Sequence, residues 1–320
     1  MEYVTAILDL HPNVVNALTP DIDKGFETHY NGWSSLHWAA YRDDLKLAQI
    51  LLKHGANPNQ KPDYNEARRH ADTPLHLVKS ADMASILIKA GADVNLTGFE
   101  GLTPLHCARN ASIARLLIDH GASTSTASNW MQAPPLHIAA REGHLDVVKL
   151  LLKYDNKINE VRGYFGTPLH AAVHYGHIDV EEYLLDHGSD PKIRNKEGYK
   201  PLEYAVCEGE ADNPKILELL IKHGDTIDWP GTPKNADEGY TILHSVAISL
   251  DKPNITAFLI KHSESLNNRN AEFKTALALA LDSFSHIGEP QQCDTDEDAA
   301  ERTKKAQKTV DLLRQAIAKE

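Results

Sequence analysis

A four-residue phrase sets the period of this chain. Thr73-Pro74-Leu75-His76 returns as Thr103-Pro104-Leu105-His106 and as Thr167-Pro168-Leu169-His170. Looser copies are Ser34-Ser35-Leu36-His37, Pro134-Pro135-Leu136-His137, Lys200-Pro201-Leu202-Glu203, Thr241-Ile242-Leu243-His244 and Thr275-Ala276-Leu277-Ala278. Between the leucines the steps are 39, 30, 31, 33, 33, 41 and 34 residues. A period of this size means a stacked array of supersecondary units. One unit cannot bury its own apolar face, so stability must come from its neighbours.

Residues 134–155 show what each part of the unit does. Pro134 or Pro135 opens a helix, where a missing N–H costs little. Leu136, Ile138, Ala139 and Ala140 are apolar or small and let neighbouring helices approach. Gly143 and His144 turn the chain. Leu145, Val147, Val148, Leu150, Leu151 and Leu152 then predict a second helix with a broad apolar face. In sister copies that helix ends at Gly55, Gly91, Gly121, Gly188 or Gly224, each suited to a left-handed stop. With these motifs the chain resembles the ankyrin-repeat family from about residue 30 to 282. The resemblance implies an all-α solenoid of about eight helix–turn–helix units, joined by β-hairpin fingers and closed by helical caps.

The ends depart from the period. Residues 1–29 are expected to form an N-terminal helical cap and lead-in, with short apolar segments on either side of Pro12. Repeats then run over 30–282. Residues 283–298, ending in Asp294, Asp296, Glu297 and Asp298, read by composition as an acidic, solvated loop. Ala306, Val310, Leu313 and Ile317 recur at helical spacing, so 299–320 should form a capping helix that completes the last repeat.

Irregularities inside the array carry information as well. From the Thr-equivalent position to the glycine stop, repeats one and five span 21 residues, but repeats two and three span 18. The loss falls near Lys79-Ser80 and Arg109-Asn110. Repeat six spans 24, with an insert around Glu210 to Pro214. The links after Gly55 and Gly224, residues 56–72 and 225–240, are also long. Long loops in compact arrays are often functional, although drift in a repeat produces the same pattern.

Composition narrows the function classes. The net charge of −12 disfavours nucleic acid as a partner. No apolar run approaches the length that spans a bilayer, so no membrane role is expected. Three cysteines make no disulfide framework, and a cytoplasmic setting is the natural reading. Thirteen of the 18 histidines fall on repeat positions. His174 and His177 form an H-x-x-H pair without an evident third ligand, so no metal or other cofactor is expected. Phosphate-binding, dinucleotide-binding and H-E-x-x-H motifs are absent, so no catalytic residue is assigned. Two other readings stand beside binding: an enzyme with a site built across the fingers, and a passive spacer. A further alternative is implied by the resemblance, asparagine hydroxylation at Asn95 or Asn159, though turn chemistry also favours asparagine there.

The expected function is therefore recognition of another protein by a monomeric adaptor, scaffold or regulator. Arrays of this family serve in eukaryotic signalling. They also occur among effectors that intracellular bacteria deliver into host cytosol. The resemblance implies a concave contact surface made from finger positions and the ends of first helices. On the fingers these positions hold Trp33, Phe99, Leu102, Trp130, Met131, Tyr164, Phe165, Tyr199 and Tyr240. At helix ends they hold Tyr41, Arg42, Arg141, Glu142, His174 and Tyr175. Tyr, Trp and Arg dominate protein–protein hot spots.

Overall fold

The computed structural model describes residues 2–17, 32–62, 72–129, 131–155, 157–163, 165–227, 240–262, 266–270, 272, 274–286 and 296–319. Trp130, Tyr164 and much of the links 56–72 and 225–240 lie outside the described residues. Helix α1 (Glu2–Leu10) precedes paired helices. These are α2 (Ser35–Arg42) with α3 (Leu45–Lys53), α6 (Pro135–Arg141) with α7 (Leu145–Tyr154), and α8 (Pro168–Tyr175) with α9 (Ile178–Asp186). Next come α10 (Pro201–Cys207) with α11 (Pro214–Lys222), α12 (Ile242–Ser249) with α13 (Pro253–His262), and α14 (Ala276–His286) with α15 (Asp296–Ile317). In repeats two and three, α4 (Ala81–Lys89) and α5 (Ala111–Asp119) follow only a single turn each.

The chain divides into two compact units. The first comprises residues 1–139, 144–157 and 162–164, and the second residues 140–143, 158–161 and 165–320. In the first unit the second helices α3, α4, α5 and α7 pack in succession. Leu51, Met83, Leu87, Ile113, Leu117 and Leu151 fill the space around them and are buried. In the second unit, α8, α10, α12 and α14 form one row, and α9, α11, α13 and α15 the other. Val180, Leu184, Ile216, Leu220, Ile255 and Leu259 lie in its core. Burying one such side chain contributes about 1.5–3 kcal/mol.

The Leu-His phrase is a capping device that also reaches the next repeat. His170 sits three residues into α8, where its Nδ1 accepts the backbone N–H of Thr167 at 3.2 Å and lies 2.8 Å from the Thr167 hydroxyl. A capping box normally gives this acceptor role to Glu or Gln. Because Nδ1 accepts, Nε2 carries the proton and donates to the Tyr199 carbonyl at 2.9 Å. The same bond joins His37 to Asp72 at 3.0 Å, His76 to Leu102 at 3.0 Å, His106 to Ala133 at 3.1 Å and His244 to Lys274 at 3.1 Å. The imidazole thus caps its own helix and ties it to the following finger.

A second ladder runs through asparagines. The Asn95 side chain donates to the Gly121 carbonyl at 2.9 Å and accepts the Ser123 N–H at 2.9 Å. Asn59 does the same with Gly91 and Asp93, and Asn159 with Gly188 and Asp190. Asn16 grips Gly55 and Asn57 in this way. Aligned on these asparagines, His11 to Asn16 matches His54 to Asn59, so α1 and its following turn act as the second half of a repeat. The fingers close with single turn bonds, such as Gly98 N–H to Leu102 O at 2.7 Å and Asn195 N–H to Tyr199 O at 2.8 Å. Among the described residues they build no regular strand, so the expected hairpin is reduced to its closing turn.

The irregular repeat lengths have structural explanations. With three residues missing, Ser80 Oγ and Asn110 Oδ1 cap α4 and α5 directly, accepting Met83 N–H at 3.1 Å and Ile113 N–H at 3.0 Å. The insert in repeat six places Asp212 against α13, where its carboxylate accepts the N–H groups of Asn254 and Ile255 at 2.9–3.0 Å. Lys252, also in repeat seven, is buried and donates through Nζ to the carbonyls of Ala205 and Val206, 3.0 and 2.9 Å away at the end of α10. A cation there completes the last carbonyls and suits the helix dipole.

At the C-terminal end, α14 continues to His286 and α15 begins at Asp296. Both helices therefore reach into the stretch read as an acidic loop. Acids in a first helical turn are favourable with the dipole, and the Asp296-Glu297-Asp298 run is placed there. Ala306, Val310 and Leu313 are buried in α15, and Ile317 is partly exposed.

Candidate partner-binding surface

In the second unit, the end of α8, the finger before it and the last residue of α6 bring four expected contact residues together. The Arg141 guanidinium carbon lies 5.1 Å from the Tyr175 ring centroid and 6.0 Å from that of Phe165. Phe165 and Tyr175 meet edge to face at 5.8 Å, and His174 lies 4.6 Å from Tyr175. Behind them His174 stacks on Tyr204 at 5.1 Å. Edge-to-face rings and a cation over a ring face are both attractive arrangements. Arg141 also pairs with exposed Glu142 at 2.9 Å. Tyr175 and Arg141 remain partly exposed, so this cluster offers a ring, a guanidinium and a carboxylate to solvent.

His174 is the electrostatic centre of the group. Burial lowers its pKa, and nearby Lys252 and Arg141 act in the same direction, against the opposing pull of Glu210. Its Nε2 lies 3.8 Å from a Glu210 carboxylate oxygen, while Nδ1 is buried without a hydrogen-bond partner. His177 is engaged separately, with Nε2 donating to the Arg141 carbonyl at 2.7 Å. The H-x-x-H pair therefore splits between a ring stack and a backbone bond. Among the described residues, no group of three or more His, Cys, Asp or Glu side chains is placed to hold a metal ion.

Three expected contact residues, Trp33, Met131 and Tyr199, belong to the packing instead, and Phe165 contributes to the cluster from a buried position behind Tyr175 and Arg141. Trp33 is only 4 % exposed and meets Trp38 and Tyr41 edge to face at 5.2 and 5.5 Å. Met131, Phe165 and Tyr199 are 7 %, 5 % and 1 % exposed. Each lies at the base of a finger, where a large apolar side chain gains more by burial than by facing water. Met131 also fixes its neighbour, because a Cβ at Gly163 would overlap the Met131 carbonyl and Gly163 has φ 63°. Tyr41, Phe99, Leu102 and Tyr240 are partly exposed. Lys79 Nζ sits 4.0 Å above the Tyr41 ring, and Tyr240 lies 5.7 Å from His244. Trp130 and Tyr164 lie outside the described residues.

Asn95 and Asn159 are accounted for by stacking, since both ends of each amide are bonded to the next repeat. Sequence reading missed two buried groups. Glu181, in α9, is wholly buried, and neither carboxyl oxygen has a hydrogen-bond partner. Burial, reinforced by Glu182, pushes its pKa up to about 9, so it is a neutral acid at pH 7. Its position matches Val148 and Leu217 in the flanking repeats, which was the available signal. The other is Glu203, which stands where the motif has histidine. Glu203 keeps the capping half of that role, accepting Lys200 N–H at 2.9 Å, and its oxygen also binds Arg194 at 2.7 Å.

Comparison with known proteins supports this architecture. The family model for ankyrin repeats matches in three copies, over residues 4–98, 77–162 and 136–230. A putative palmitoyltransferase ZDHHC13 from Danio rerio is 32 % identical over 162 residues, which cover 49 % of this chain but 19 % of that protein. The chain thus matches about a fifth of that relative's length. The crystal structure of the human ASB11 ankyrin repeat domain superposes with a TM-score of 0.54 at 22 % identity, covering 84 % of this chain and 98 % of that domain. At that identity the likeness speaks for the fold alone. No helix among the described residues is long and apolar enough to cross a membrane. With its capping histidines, stacked helix pairs and matched repeats, the chain belongs to the ankyrin-repeat family.

Proposed function

We propose that this chain is a recognition module of the adaptor or regulator kind, which docks a partner protein on the helix-end and finger face of its second unit. The observation that carries this reading is the Arg141–Tyr175 pair, backed by Phe165 and His174 and rimmed by Glu142. Arg and Tyr are the residue types that anchor interfaces, and here both are held in place before any partner arrives. Ankyrin repeats are in general protein-binding units, and this face is the one their resemblance implies. The reading includes no catalytic step, since the buried Lys252 ammonium is committed to helix carbonyls and Glu181 is shut from solvent. Among the described residues Cys107 and Cys207 form no disulfide, which suits a reducing intracellular setting.

The test is parallel affinity capture with the wild-type chain, Tyr175→Ala, Arg141→Ala and the outer-face variant Glu182→Ala, each first shown to melt like wild type. A protein retained by wild type and Glu182→Ala but lost with Tyr175→Ala and Arg141→Ala supports the reading. A set of captured proteins that all four chains retain equally contradicts it.

A further inference from the structure

The turn between helices in the first unit carries a cation in each of its first three repeats. Arg42 precedes Asp43-Asp44, Lys79 precedes Ser80, and Arg109 precedes Asn110. The three-residue deletions in repeats two and three are what bring the base directly against the capping residue. All three side chains are exposed, and among the described residues none pairs with an acid. Arg42 lies 5.2 Å from the Trp38 ring and Lys79 4.0 Å from the Tyr41 ring, so π faces hold them without neutralising their charge.

Three acids near these turns are engaged in local hydrogen bonds rather than in ion pairs with the bases. Asp43 accepts the Ser80 hydroxyl at 2.6 Å, Asp44 accepts Leu47 N–H at 3.0 Å, and Asp146 accepts Ala111 N–H at 2.7 Å. Asp82 is exposed in the first turn of α4. In repeats five to seven the helix-end residues are His174-Tyr175, Cys207-Glu208 and Ile248-Ser249, with no Lys or Arg. A chain with net charge −12 thus keeps an unpaired row of bases on one edge of one unit.

We propose that this edge, marked by Arg42, Lys79 and Arg109 with Trp38 and Tyr41 at one end, docks an acidic extended segment of a partner protein. Repeats stack about 8–10 Å apart, so three cations match roughly six or seven residues of extended peptide. Unpaired bases give such a segment complementary charge, and the rings add apolar contact for its side chains. A peptide fits better than nucleic acid, because a polyanion longer than the strip meets the chain's overall negative charge. The proposal rests on the chain being a protein-recognition module but uses a different unit and different residues.

The probe is a fluorescein-labelled peptide of about seven residues, glutamates with one central tyrosine, matched to the length of the strip, titrated with the full chain and followed by anisotropy. A control peptide has every glutamate replaced by glutamine. The acidic peptide should bind at least about tenfold more tightly than the control, and more weakly as salt rises. Lys79→Glu combined with Arg109→Glu should weaken it by about tenfold or more. Lys46→Glu combined with Lys89→Glu makes the same change in net charge elsewhere and should have little effect. Tyr175→Ala should bind the peptide normally, so failure here is distinguishable from failure of the second-unit surface. Equal binding of the glutamine peptide, equal loss in both charge-reversed pairs, or equally tight binding of a twelve-nucleotide single strand would each overturn the proposal.

Discussion

His76 donates through Nε2 to the carbonyl oxygen of Leu102, 3.0 Å away and one repeat further along the chain. His76 Nδ1 meanwhile accepts the Thr73 N–H at 3.2 Å, and it can do so only while the ring is neutral, with its one proton on Nε2. Burial enforces that state, lowering the pKa of His76 and His244 and bringing His37 and His106 down to about 4. The stacking of the array is therefore coupled to protonation.

That coupling predicts acid sensitivity. In the unfolded chain these histidines titrate near 6.5, so between about 6.5 and 4 unfolding takes up protons. For His37 and His106 this stabilisation is complete above pH 6.5 and is lost as pH falls through about 4, and His76 and His244 act in the same direction. For His37 and His106 this amounts to on the order of 3 kcal/mol each. Glu181 opposes the trend above about pH 4.5, but as one group against four. Denaturant midpoints measured from pH 8 to pH 4.5 should fall below pH 6.5. A flat profile would contradict the neutral-imidazole ladder.

Glu181 gives the opposite pH dependence at higher pH. Its folded pKa near 9 exceeds the unfolded value, so its contribution to stability is lost as pH rises from about 4.5 through 9. Glu181→Leu should stabilise the chain by about 1–3 kcal/mol at pH 7, and by more at pH 8. Glu181→Gln removes the titration and should flatten the slope while leaving unpaired polar atoms behind. Thermal melts of both variants at pH 6 and 8 read this directly. A less stable Glu181→Leu at both values would show that the carboxyl has a partner.

Most of the architecture was legible in the sequence because each part answers to local chemistry. The Thr-Pro-Leu-His phrase specifies a cap, and the short spans of repeats two and three indicate a reduced first helix. What was not legible depends on packing. Trp33 and Tyr199 stand one residue before the Thr-equivalent position, as do Leu102 and Tyr240, yet the first two are buried and the others are not. Sequence position alone does not decide which way a finger side chain turns. Asp212 capping α13 and Lys252 closing α10 are bonds between repeats, so a reading one repeat at a time finds an insert and an odd lysine. The asparagine ladder did leave a signal, since Asn59 and Asn95 each follow their glycine stop by four residues.

Arg194 is the exposed half of a pair whose other member, Glu203, is 1 % exposed. Arg194→Ala leaves a buried carboxylate with only the Lys200 N–H, and should cost about 1–2 kcal/mol, reduced from a fully buried pair because Arg194 is half in water. Chemical denaturation measures the loss. An unchanged midpoint would show that water replaces the guanidinium fully.

Leu151 tests the packing of the first unit. It lies in α7 at 2 % exposure. Leu151→Ala should cost about 2–5 kcal/mol, through lost burial and the cavity left behind. Because repeats support chiefly their neighbours, the loss should appear as a broadened or split transition rather than a uniform shift. A denaturation curve superimposable on wild type would contradict this placement.

The central claim is that recognition uses the face built by Arg141, Phe165, His174 and Tyr175. Its most direct test is the affinity, by calorimetry, of a captured partner for Tyr175→Ala beside the outer-face variants Lys149→Ala and Glu182→Ala. The account predicts a loss of about 2 kcal/mol or more for Tyr175→Ala, with the outer-face variants within a few tenths of wild type. Loss of binding in the outer-face variants with Tyr175→Ala unaffected would contradict it.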